Sequence, residues 1–212
     1  DSSELRAVTS WFFLFLNDLI TPETDLFRKT SRRLINNADS KQNVLSFMKK
    51  ADFGITDISI EKKEEKIESD LKELMIFIAQ QQKRKGNNVD ISEVDLIEGI
   101  DIQFEHSIKQ ETGFAKYILP YSEESQGTKR YFQFSGLLNE MIIGSKAFII
   151  DELESSLHPD LVKHFLLLFL VNAKVSQLIT TTHYRELLME NDMLRDDVIW
   201  FTEKKPDGSA DL

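Results

Sequence analysis

Residues 147–159 read AFIIDELESSLHP. Four apolar residues without polar alternation describe a strand covered on both faces, as in a parallel sheet between helix layers. The run ends in Asp151 and Glu152, and Glu154 follows. Acids at the mouth of a buried strand have two readings. They are a strand end meeting solvent, or they serve metal-dependent phosphate chemistry. In the second, one carboxylate holds a hard cation such as Mg²⁺ and its neighbour accepts a proton from water. The stretch alone leaves both open, so the rest of the chain has to supply the other parts.

Composition narrows the field. The chain has 212 residues, 41% hydrophobic and 29% charged, a globular balance with room for one large domain or two small ones. A formal net charge of −10 disfavours broad electrostatic binding to nucleic acid, which then needs a local basic patch. With no cysteine, disulfides and thiolate metal sites are excluded, and a cytoplasmic location is expected. The longest apolar runs, WFFLFL at 11–16 and FLLLFLV at 165–171, are too short to span a bilayer, so no membrane partner is expected. The chain starts at Asp1 rather than Met, which points to a fragment or a processed chain.

Before residue 90 the pattern is mainly helical. Leu5, Val8, Phe12, Phe15 and Leu19 recur at helical spacing, which predicts a helix over 4–19 that packs Trp11, Phe12, Phe15 and Leu19 into a core or an arm interface. Two short helices are expected over 23–37 and 40–50, then a short strand at Ile58 and Ile60. A long amphipathic helix over 61–82 follows, striped by Ile67, Leu71, Leu74, Met75 and Ile78, and then a polar loop at 82–88. After 90, strands at 94–106 and 114–120 flank a turn at Glu111-Thr112-Gly113. A loop over 122–130 enters a helix with Tyr131, Phe134, Leu138 and Met141 on one face. Strands are expected at 146–151, 177–183 and 197–203, with a helix starting at Pro159 and a hairpin turn at Pro206-Asp207-Gly208. The reading is an α/β fold, a helical arm over 1–90 and an α/β lobe with a largely parallel sheet over 91–212.

Three motifs then fall where open α/β sheets bind ligands, at strand carboxyl ends or at a helix start. In Glu124-Ser125-Gln126-Gly127-Thr128-Lys129-Arg130, Ser125 supplies a hydroxyl and Gly127 permits close backbone approach before a helix N-terminus suited to phosphate. Alone it reads better as a serine–glycine helix cap. The second motif is Phe148-Ile149-Ile150-Asp151-Glu152. The third, Ile179-Thr180-Thr181-Thr182-His183, sets a histidine just beyond a strand, where it meets a terminal phosphate or merely caps the core. About one helix and one strand separate each motif from the next.

In that order the motifs resemble the second half of an ABC-type P-loop ATPase head: SQGT as signature loop, IIDE as Walker B, ESSLHP as D-loop and TTTH as switch-histidine loop. Residues 91–212, with ESQGTKR, IDELESSLHP and LRDDVIWF, look like a bacterial group of OLD-like, RecF-like AAA ATPases, several of which serve in abortive infection and phage defence. The likeness extends more loosely from about Leu5. It implies ATP and Mg²⁺ as cofactors, with Asp151 binding Mg²⁺, Glu152 as general base and His183 sensing the γ-phosphate. Ser125, Gly127 and Thr128 would form the nucleotide-facing loop, with Ser125 and Gly127 reaching ATP held by the other subunit of a dimer. Ser155, Ser156 and Leu157 would lie across that interface. A homodimer or a higher oligomer built from dimers, and an effector protein, are the implied partners; nucleic acid is compatible but unsupported by the net charge. His158 stands where transporter-type D-loops carry aspartate, as in the OLD-like group.

The chain departs from the pattern in having no G-x-x-x-x-G-K-[ST] loop. Gly144-Ser145-Lys146 comes nearest but leads into a strand. The phosphate-cradling lobe is therefore expected upstream of Asp1, and this piece by itself is expected not to turn over ATP. Two other function classes stay in play: a non-catalytic ATPase-like scaffold, and a metal-dependent nuclease using the acids directly. His158, His164 and His183 do not form a zinc spacing, and Asp192, Asp196 and Asp197 read as an exposed turn.

Overall fold

The computed structural model describes residues 2–51, 53–66, 77, 96–110, 113–189 and 192–211. They form a mixed α/β fold in which a parallel sheet is flanked by helices. Contacts divide the chain into two compact units, residues 1–26 with 126–212, and residues 27–125. This differs from a division near residue 90, because the first strand of the parallel sheet comes from ahead of residue 26.

The first unit opens with α1 (Ser2–Phe15) and β1 (Leu16–Ile20). The helix expected over 4–19 therefore stops at Phe15, and Leu19 lies in a strand. The cause is tertiary: β1 pairs parallel with β5 (Ala147–Ile150), with Leu19 opposite Ile149 and Ile20 opposite Ile150. The register shifts between Leu16 and Leu19, and there the Asn17 side-chain amide donates to the Ala147 carbonyl at 3.2 Å. On its other side β5 pairs parallel with β6 (Gln177–Thr180), giving the order β1-β5-β6. The strand expected over 197–203 does not join this sheet. That segment is a short 3₁₀ turn at Asp196–Val198 and then irregular chain, with Trp200 and Phe201 each 68% exposed. Beyond it, β7 (Glu203–Lys204) and β8 (Ala210–Asp211) pair across the Pro206-Asp207-Gly208 turn, where Gly208 takes a positive φ.

Helix α4 (Gln126–Ile143) supplies much of the core of this unit. Tyr131, Phe134, Leu138 and Met141, the expected apolar face, are all buried, and so is Phe132 on the opposite side. Phe134 meets Phe165 of α5 (Pro159–Asn172) with ring centroids 5.6 Å apart. Pro159 opens α5, and His158 caps it by accepting the Asp160 amide on Nδ1. Gly144 follows α4 because a Cβ there would lie 2.7 Å from the Glu140 carbonyl oxygen, so its small size serves packing. The aromatic run of α1 is not core: Phe12, Phe13 and Leu14 are all more than half exposed.

The second unit packs α2 (Phe27–Asn36) and α3 (Ala38–Lys50) on an antiparallel sheet of β2 (Ile55–Lys66), β3 (Leu96–Gln110) and β4 (Gly113–Pro120). Asn37 caps α3 by accepting the Ser40 amide at 2.9 Å. Ile58, Ile102 and Phe104 from the sheet are buried, as are Val44 and Met48 from α3. The strand seen at Ile58 and Ile60 runs on to Lys66, so the long helix expected from residue 61 does not begin there. Ladder pairing of Glu61–Lys66 with Leu96–Asp101 overrides the helical propensity of a Glu/Lys run. The remainder of that helix and the loop at 82–88 fall outside the described residues, Phe77 apart.

Candidate functional site

The three strands of the parallel sheet end level, since Ile20, Ile150 and Thr180 are opposite one another in the register. Open α/β sheets present ligand sites at this edge. Asp151 and Glu152 leave the middle strand there. The Asp151 amide donates to the Ile20 carbonyl at 2.8 Å, and the Thr181 amide donates to the Ile150 carbonyl at 3.0 Å. The acids are thus held between the ends of both neighbouring strands.

Thr181 organises the pair through one hydroxyl. Its Oγ1 donates to Asp151 Oδ1 at 2.5 Å and accepts the Glu152 amide at 2.9 Å. The Leu153 amide donates to the Thr181 carbonyl at 3.1 Å, and Leu153 is fully buried. Between these anchors Glu152 adopts φ +48°, and Ser156 a few residues on adopts +65°. Left-handed backbone is unfavourable for a side-chain-bearing residue by about 1–2 kcal/mol and persists only where its surroundings over-determine it. Here the Ser155 and Leu157 amides close tight turns onto the Glu152 and Glu154 carbonyls, each at 2.8 Å. The result is a compact loop whose Glu152 carboxylate projects while its backbone is tied down.

Glu154 reaches the third motif. Its Oε1 accepts the His183 amide at 2.8 Å, which joins the acid loop to the histidine loop. Burial opposes ionisation of this carboxyl, but hydrogen bonds from the Thr182 side chain and the His183 amide outweigh it and hold it below the usual carboxylate range. The His183 ring stands 3.9 Å from Glu152 Oε1, with side-chain exposures of 86% and 48%. That separation exceeds a direct hydrogen bond and leaves both groups open to a ligand or a bridging water. The other histidines have different duties. His158 caps α5, and His164 Nδ1 lies 2.5 Å from the Tyr131 hydroxyl, whose ionisation burial strongly disfavours.

The second and third motifs are therefore brought together, and their bonds run between residues 151–154 and 181–183. The first motif stands outside that network. Ser125 is exposed, Gly127 is half-buried in the first turn of α4, and Thr128 is only 5% exposed. Two turns of α4 are tied to the chain leaving β1. Arg130 donates from Nη1 to the Thr24 carbonyl at 2.9 Å and from Nη2 to the Thr21 carbonyl at 3.1 Å, with its guanidinium 4.4 Å over the Phe134 ring. Gln133 Oε1 accepts the Leu26 amide at 3.0 Å. Sequence reasoning named Thr181, Glu154 and Arg130 within or beside the motifs but gave none of them a role. A run of three threonines after a strand was the available signal for the first; for the other two only contact decides.

Asp151 could supply one carboxylate oxygen to a cation at this edge. Mg²⁺ keeps water and takes one or two carboxylates. Asp151 has one oxygen engaged by Thr181, and among the described residues no group of three or more His, Asp or Glu side chains could hold a metal.

A parallel sheet flanked by helices, with acids after its middle strand and a polar loop from the next strand beside them, defines a P-loop ATPase-type fold. Residues 14–190 match the model of the family described as "AAA domain, putative AbiEii toxin, Type IV TA system", and the chain belongs to that family. A search of curated proteins finds no match. Among the described residues no helix is long and apolar enough to cross a membrane.

Proposed function

We propose that the intact protein is an ATP-hydrolysing switch of the OLD-like, RecF-like AAA group, acting in bacterial phage defence, and that this chain carries the hydrolytic half of its site. The observation that carries the reading is the Thr181 hydroxyl. It donates to Asp151 and accepts the Glu152 amide, and so fixes one acid and aims the next at the common carboxyl edge of the sheet.

In this reading Asp151 holds Mg²⁺ on the nucleotide, which supplies charge neutralisation at the phosphates when bound. Glu152 orients the attacking water and accepts its proton, and its exposed carboxylate and fixed backbone suit that task. His183 senses the γ-phosphate, and Glu154 keeps the histidine loop beside the acids. Ser125 and Gly127 complete a nucleotide site in the other subunit of a dimer, while Thr128 lies buried in the first turn of α4 and does not reach that nucleotide. Nucleotide-driven closure and release then pass to an effector protein by order-and-release coupling. The reading requires a phosphate cradle and does not require nucleic acid.

The test is to compare Asp151→Ala with Glu152→Gln in the full-length protein, following ATP binding, phosphate release and sedimentation. Loss of a general base typically lowers turnover about 10²–10⁴-fold. Glu152→Gln is expected to lose that much hydrolysis, keep ATP binding and accumulate as the closed dimer, while Asp151→Ala loses nucleotide affinity in Mg²⁺ as well. Normal turnover in Glu152→Gln rejects the base assignment, and equal loss of binding in both variants makes the acids structural or jointly metal-binding. If Ser125→Arg leaves ATP-dependent association and hydrolysis unchanged, the shared site is wrong.

A further inference from the structure

His106 and Glu124 form a buried ion-pair contact that the reaction above does not use. His106 Nε2 lies 2.6 Å from Glu124 Oε1, and the two side chains are 8% and 5% exposed. One hydrogen bond joins the two atoms. The ring is itself fixed. His106 sits opposite Tyr117 in the β3–β4 register, and the two rings stack at 4.9 Å and 14°.

A buried polar pair is a poor device for stability, because desolvating both groups offsets their attraction and an apolar pair of the same volume often does as well. What such a pair adds is direction, a fixed distance between two named atoms. The placement of this one is specific. Glu124 ends the 3₁₀ turn Tyr121–Glu123, its amide donating to the Tyr121 carbonyl at 3.2 Å. Tyr121 packs its ring 4.5 Å from Phe27 and 6.3 Å from Phe104. The turn is thus held at both ends, by the half-buried Tyr121 ring and by the buried Glu124 carboxylate. The next residue is the exposed Ser125, and the one after it opens α4.

We propose that His106 is a positioning residue for Ser125: its bond to Glu124 fixes the backbone from which the exposed hydroxyl is presented to nucleotide. The nucleotide clause rests on the function proposed above; the positioning clause does not. His106 touches no reacting atom in this scheme and acts through Glu124 alone.

Two substitutions separate bond from packing. His106→Phe keeps a ring against Tyr117 and removes the donor. His106→Gln gives up the ring and keeps a donor near the Nε2 position. In the full-length protein, amide hydrogen exchange at Ser125, Gln126 and Gly127 is read beside ATP binding, kcat and KM, with the Ile58 and Phe104 amides as the control for an intact core. A hydrogen bond to a charged group corresponds to about tenfold or more in such an equilibrium. His106→Phe is expected to speed exchange at those three amides about tenfold and to lower kcat with KM for ATP unchanged, and His106→Gln to restore both. Unchanged exchange in His106→Phe overturns the proposal, as does a Gln variant as impaired as the Phe variant. Faster exchange with unchanged hydrolysis leaves the positioning intact and rejects the nucleotide role of Ser125. Should His106→Phe fail to fold, Glu124→Leu, which fills the space without an acceptor, replaces it with the same expected and overturning results.

Discussion

Leu16–Ile20 and Asp197–Glu203 mirror each other. The first continues a helical apolar stripe and becomes a strand of the parallel sheet; the second reads as a buried strand, DVIWFTE, and stays outside every long ladder with Trp200 and Phe201 exposed. Both segments are short, and both are compatible with helix or strand by periodicity. The difference lies in their partners. β5 offers Leu16–Ile20 a free ladder edge, and the Asp151 amide extends that ladder by bonding the Ile20 carbonyl. Val198 and its neighbours join no ladder of this sheet, although β6 is one of its edge strands, and Val198, Trp200 and Phe201 are exposed. In these two short segments, hydrophobic pattern alone does not decide which one joins the sheet.

The largest effect expected from that contrast is at Ile20, which is 5% exposed opposite Ile150. Ile20→Asp puts an unpaired carboxylate in the core and is expected to destabilise by on the order of 4 kcal/mol or more, read from denaturant unfolding. A loss below about 1 kcal/mol would mean that β1 is dispensable to the sheet. Arg130→Ala comes next. It removes charge-assisted bonds to the Thr21 and Thr24 carbonyls and should cost about 2–4 kcal/mol, with increased protease sensitivity at 21–26.

Glu154 should report locally rather than globally. Its carboxyl is held below the usual range, so the bond to the His183 amide is complete at and above the ordinary glutamate pKa and fails as pH falls through the lowered folded value. The His183 amide resonance should therefore move with a midpoint below that of an ordinary glutamate, and Glu154→Gln should abolish the transition. A midpoint in the ordinary range would remove Glu154 as a latch. Smallest of all, Trp200→Ser on the unpaired side of the comparison is expected within about 0.5 kcal/mol of the parent protein, as for surface substitutions generally. A large loss there would show that Trp200 is buried by something beyond this chain's described residues.

Much was legible in the sequence because its signals are local. The unbroken apolar run before Asp151, Pro159 at a helix start, the face of Tyr131, Phe134, Leu138 and Met141, and the hairpin turn at Gly208 each follow from side-chain period or a fixed backbone angle. Alternating strands and helices pointed to the α/β fold, which the structure has, and the order of the Ser125, Asp151 and His183 motifs pointed to an ATPase, with which membership of an AAA domain family agrees. The third strand of the parallel sheet, the left-handed turn at Glu152 and the Thr181, Glu154, Arg130 and His106 bonds were decided only by tertiary structure. Each depends on groups far apart in sequence meeting at hydrogen-bond distance, and such a bond leaves no periodic trace in either partner. The same physics explains why Leu16–Ile20 was misread: its backbone amides and carbonyls must be paired, and the partner that satisfied them lies about 130 residues away.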